Sequence, residues 1–169
     1  MGDLKTYDVL REPRGKTYAE LLDAARRECN EFILITHERM GFSDNLMRVL
    51  AALREDQAIA PVKVSEWPGT VVIGGEATQY RVRVSDRSIE VLKREAARLY
   101  RWQQPKLPQD PCFFAADGRC WLATIAHERD AFMSLSPAEA EKVRQEVPEL
   151  VLAEREDKSS ADGVKSDVS

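Results

Sequence analysis

Long apolar runs, cysteine and histidine are all scarce in this chain of 169 residues. Its longest apolar stretches, residues 32–35 and 71–73, fall far short of the roughly 18 residues that a membrane-spanning helix requires, so no membrane partner is expected. Cysteine occurs three times, an odd number that argues against an extracellular disulfide framework. The first residues carry no basic start followed by an apolar segment, so the expected location is cytoplasmic. Met1, Gly2 and Thr6 fit the loose myristoylation pattern, but a match this short recurs by chance and nothing else in the chain supports it. No glycine-rich dinucleotide fingerprint, phosphate-binding loop or repeat is present, and no residue pattern implies a cofactor or a metal.

What is present is an ordinary globular composition, 43% hydrophobic and 32% charged, with 29 acidic against 25 basic side chains and a formal charge of -4. A chain of this length can bury about two-thirds of its unfolded surface in one core without a metal or disulfide staple. A single compact domain over residues 1–153 is therefore expected. From Glu154 to the last residue, 169, apolar periodicity stops, and the polar composition predicts a disordered tail.

Local patterns predict the elements. Thr17 and Glu20 have capping-box spacing ahead of Leu21, Leu22, Ala25 and Cys29, which predicts a helix over 18–30. Residues 31–36 read as a central strand. Leu46, Val49, Leu50 and Leu53 mark a second helix. Val62, Lys63 and Val64, bracketed by Pro61 and Pro68, read as an edge strand or a loop. Residues 70–73 and 78–84 suggest a hairpin closed by Gly74 and Gly75. A third helix is then expected from a cap at Ser85 or Asp86 to about Arg101, followed by an extended connection through Pro105, Pro108 and Pro111. Asp117 and Gly118 signal a second hairpin, in a register that sets Cys120 against Ala115 and Cys112 against Ala123. Residues 131–135 extend it, and Ser136, Pro137 and Glu139 open a short last helix. The expected class is α+β: an antiparallel or mixed sheet of five to six strands built on two hairpins, with about four helices packed mainly on one face.

Two features bear on function. The only two histidines, His37 and His127, each follow an apolar strand and are each followed by Glu-Arg. Were the strands neighbours with the same end up, His37, Glu38, His127 and Glu128 could form an acid–base site for a hydrolase or nuclease, with Arg39 or Arg129 opposing developing negative charge. The plainer reading is a polar tripeptide that ends each strand, since the His-x-x-x-His spacing of a helical zinc site is absent.

The second feature is charge asymmetry. Residues 79–106 hold eight basic and three acidic side chains, a net of +5, which leaves -9 for the rest. On a helix reaching Arg101, the side chains of Arg87, Arg94, Arg98 and Arg101 fall in one stripe opposite Ile89, Leu92 and Leu99. A stripe of that kind steers association with an acidic protein surface, and nucleic acid is the less favoured partner because the whole chain is acidic. Trp67 and Trp102, both in connecting segments, are either interface anchors or plugs over the core edge. The charge pattern, being counted directly, makes docking of another protein the preferred expectation, in the manner of an immunity, antitoxin or adaptor protein. Acid–base catalysis is the alternative.

Overall fold

Residues 32–35, continuous in apolar character, lie inside a sheet and are covered on both faces, the environment such a run needs. The computed structural model describes residues 2–156. In chain order the elements begin β1 (Lys5–Val9), α1 (Lys16–Glu28), β2 (Cys29–Thr36), α2 (Asp44–Leu53) and β3 (Val62–Val64). Next come β4 (Glu66–Trp67), β5 (Thr70–Val71), β6 (Ala77–Arg83), α3 (Asp86–Glu95) and β7 (Gln109–Ala115). The last are β8 (Cys120–Ile125), β9 (Asp130–Leu135), α4 (Pro137–Glu146) and β10 (Leu152–Glu154). Eight strands form one antiparallel sheet in the order β10-β1-β9-β8-β7-β2-β6-β3, and β4 pairs only with β5. No helix among the described residues is long and apolar enough to cross a membrane.

Alternation along the strands divides the interior in two. Phe32, Leu34, Val82 and Phe113 face a core that takes buried residues from all four helices, among them Leu21, Val49, Ile89 and Val143. Ile33, Ile35, Cys112 and Ala123 face the other way, into a smaller cluster roofed by Trp67 and Val72. The helices thus cover one face, and the small β4–β5 hairpin covers part of the other.

The class is α+β, with four helices among the described residues, but the sheet exceeds the expected five to six strands. The additional strands are short and polar. β1 buries only Tyr7 and Val9, too few positions for a periodicity to show. β3 is an edge strand, and β10 pairs with β1 at the opposite edge. Glu154, expected in the tail, belongs to β10, and Arg155 holds Asp8. The remainder of the expected tail, residues 157–169, lies outside the described residues.

Other boundaries differ from expectation for identifiable reasons. α1 starts at Lys16 behind Gly15 (φ 53) with no side-chain cap, and the Thr17 hydroxyl donates to Glu149 instead of closing a capping box. The hairpin expected at Gly74 and Gly75 does not form. β5 turns back on β4 through Pro68 and Gly69, where proline presets one turn position and Gly69 supplies φ 84 at the next. In the β7–β8 hairpin only Gly118 takes a positive φ (85), and the chain bulges, so Cys120 opposes Phe114 rather than Ala115. Ser85 and Ser136 cap α3 and α4 as expected. α3, however, stops at Glu95 rather than Arg101. Ala96 and Arg98 are extended, because Ala97 O and Leu99 N bond to Gly15 and Pro13 of the N-terminal segment instead of continuing the helix.

Candidate functional site

Strand direction brings the two histidines to the same end of the sheet. β2 and β8 are both antiparallel to β7, which lies between them, so β2 and β8 point the same way. Their C-terminal ends, at Thr36 and Ile125, and the start of β7 at Gln109 share one end of the sheet. His37 directly follows β2 and caps a short 3-10 turn, whereas His127 is the second residue after β8 and lies inside one. Asp110, second in β7, lies between them.

Asp110 is 1% exposed and left-handed in backbone (φ 56), a conformation that aspartate tolerates better than most residues. Its carboxylate accepts from the Ala126 backbone N–H at 2.9 Å and from Trp67 Nε1 at 3.1 Å. The Trp67 ring stands edge-on to His37, with centroids 5.5 Å apart. A pair of buried amides fixes the turn that carries His37. Gln104 Oε1 accepts from His37 N at 2.6 Å, and Gln104 Nε2 donates to the carbonyls of His37 and Gly41, both at 3.0 Å. Gln109 Nε2 in turn donates to Gln104 Oε1 at 3.0 Å.

Asp110 and His37 each respond to the other's charge. Burial pushes the Asp110 carboxyl above its ordinary range, opposed by the Ala126 and Trp67 N–H donors and by the charges of His127 and His37. Burial also pushes His37 down; the Asp110 charge opposes that fall and His127 adds to it. Hydrogen bonds to Asp110 come from Ala126 and Trp67, so the imidazoles act on it through space. Glu128 lies 3.8 Å from His127 Nε2. Glu38 turns away to Lys63 of β3 at 2.6 Å, a contact that holds its carboxyl below the ordinary range. Among the described residues no group of three or more His, Cys, Asp or Glu is placed to hold a metal ion. Beside His37 opens a cleft of about 460 Å³, walled by Arg39, Met40, Lys63 and residues 72–76.

The arginine stripe is differently placed. Arg87 pairs with Glu55; Arg94 contacts Glu95, which Arg48 also grips through two nitrogens at 2.9 and 2.7 Å. Arg98 has left the helix and stands 3.9 Å from Glu12, and Arg101 is exposed in the 3-10 turn that follows. Glu95 of the same helix and carboxylates from two other segments, Glu55 and Glu12, thus meet most of the positive charge. Trp102 is 0% exposed, its Nε1 bonded to the Tyr18 hydroxyl at 3.0 Å, and Trp67 is 6% exposed. Both indoles are plugs rather than surface anchors.

The sequence pattern does not single out Asp110 or Gln104. The one signal it carries is a polar Gln-Asp pair set between Pro108 and Pro111 immediately before an apolar strand. Comparison of the chain with models of protein families, with curated proteins and with solved structures gave no match.

Proposed function

We propose that this end of the sheet is an acid–base site and that the chain is a small hydrolase or nuclease. A single observation carries the reading: at the sheet end that both histidines reach, a buried carboxylate is fixed by two N–H donors and has, among the described residues, no cationic partner in hydrogen-bond contact. His37, which burial pushes toward its uncharged form, takes the proton of an attacking water or hydroxyl. Asp110 steadies the imidazolium that results, a protonated His127, exposed beside Glu128, gives its proton to the leaving group, and proton exchange with water resets both rings. Arg39 on the cleft wall faces the negative charge that develops on an acyl or phosphoryl oxygen. The test is turnover of chromogenic carboxylic esters and phosphodiesters by the purified chain and by His37→Gln and His127→Gln. Loss of general acid–base help predicts a fall of about a hundredfold or more in either variant with unchanged circular dichroism. No turnover by the wild type, or turnover indifferent to both substitutions, overturns the proposal.

Docking of another protein is favoured by a separate observation, the apolar side chains around the same cleft. Ile73 is 96% exposed, and Val71 and Met40 are exposed with it. An acidic partner would meet Arg39 on the cleft wall, whereas Trp67 serves it only from below. Ile73→Asp abolishes capture of such a partner, whereas His37→Gln removes ester turnover and leaves capture intact, which separates docking from catalysis.

A further inference from the structure

We propose that the β4–β5 hairpin is a gate over the acid–base site, with Trp67 as its latch and Asp110 as the catch. The hairpin pairs with itself and with no strand of the main sheet, so no backbone ladder ties it down. Three kinds of side-chain contact hold it. Trp67 and Val72 pack on the small cluster of Ile33, Ile35, Cys112 and Ala123. Gly69 at the turn lies so close to β8 that a Cβ there would come within 2.7 Å of Ile125 Cδ1. The Trp67 indole N–H donates to Asp110 at 3.1 Å while its ring edges against His37. The chain leaving the hairpin, residues 72–76, then forms one wall of the cleft beside His37. Lifting the hairpin therefore uncovers Asp110, frees the inner side of the His37 ring and widens the cleft in a single motion. A unit joined to the rest by packing and one polar contact opens more readily than the sheet beneath it. The His127 side chain, more than half exposed, is not covered.

This gate rests on reading the sheet end as the site, but its test needs no substrate. Diethyl pyrocarbonate modifies imidazoles, and the chain has only two, each in a separate peptide for mass spectrometry. With rates normalised to the unfolded chain, His37 in the wild type is expected to react more slowly than His127, since the closed hairpin sets Trp67 against its ring and leaves only the cleft side open to the reagent. Trp67→Phe removes the latch and keeps a ring, and Gly69→Ala, at φ 84 and against Ile125, lifts the turn without touching the site. Both are expected to bring the His37 rate close to that of His127, with faster amide exchange at residues 66–72 and unchanged exchange in β2 and β7. Equal rates for the two histidines in the wild type overturn the gate. So does acceleration shared by His127 or by the amides of β2 and β7, which would mean that the hairpin moves only when the whole sheet does. If His37→Gln removes turnover while His37 proves ungated, catalysis stands and the gate alone falls.

Discussion

Replacing Asp110 with alanine removes the acceptor of two buried donors at once, the Trp67 indole N–H and the Ala126 backbone N–H. Each donor left unpaired in the interior costs about 1–3 kcal/mol. Alanine held at φ 56 adds about 1 kcal/mol of backbone strain. Against this, the variant no longer buries a carboxylate, a relief that the upward push of burial on Asp110 shows to be real. The net expectation is a loss of about 3 kcal/mol, a large part of the roughly 5–15 kcal/mol that holds a domain folded. Urea unfolding followed by far-ultraviolet circular dichroism measures it without depending on tryptophan emission. In a double-mutant cycle with Trp67→Phe, the indole and the carboxylate should couple by about 1.5–3 kcal/mol, as a hydrogen bond to a charged group does. A loss under about 0.5 kcal/mol for Asp110→Ala, the size of an ordinary surface change, would refute the reasoning, as would a coupling indistinguishable from zero.

Three further outcomes follow from the same geometry. Arg119 grips Glu139 through two nitrogens at 2.7 and 2.9 Å and holds its carboxyl down to about 2, against an ordinary 4.5. A depressed carboxyl contributes stability that is complete above pH 4.5 and disappears as pH falls toward 2. With the Glu139 side chain 30% exposed, screening reduces the contribution to about 1 kcal/mol, so the wild type should lose about that much more than Glu139→Gln between pH 6 and pH 3 in urea titrations. Gln104→Leu leaves the His37 N–H and two carbonyls without their partner, and should cost about 2 kcal/mol in the same assay while releasing amide exchange in residues 37–41. Arg94→Glu with Arg98→Glu sets like charges beside Glu95 and Glu12, so the pair should destabilise the fold by about 1 kcal/mol; unchanged stability would show that those contacts carry no weight.

Elements whose identity depends on local chemistry are legible in the sequence. The run at residues 32–35, the turn signal at Gly118 and the serine caps before α3 and α4 each determine their own surroundings. Features that depend on distant partners are not legible in this way. Residues 96–101 have helical spacing of apolar side chains, yet backbone groups of Ala97 and Leu99 find Gly15 and Pro13, more than 80 positions away, and the helix ends early. The arginine stripe goes with it, since its geometry requires an unbroken helix. Gly74 and Gly75 carry a hairpin composition but sit in the cleft wall, because Pro68 and Gly69 offer a competing turn nearer to β4. His37 and His127 visibly end strands, but their neighbourhood follows from β7 lying between β2 and β8, a strand order that no local pattern encodes. Asp110 reads as loop because prolines flank it, whereas its left-handed backbone turns a loop residue into the polar centre of the site.

Proton titration of the two imidazoles by nuclear magnetic resonance tests the shared site most directly. The account predicts a His37 midpoint below its ordinary 6.5, moved up by His127→Gln and moved further down by Asp110→Asn, because the first removes a repelling charge and the second an attracting one. A His37 midpoint that ignores both substitutions would contradict it.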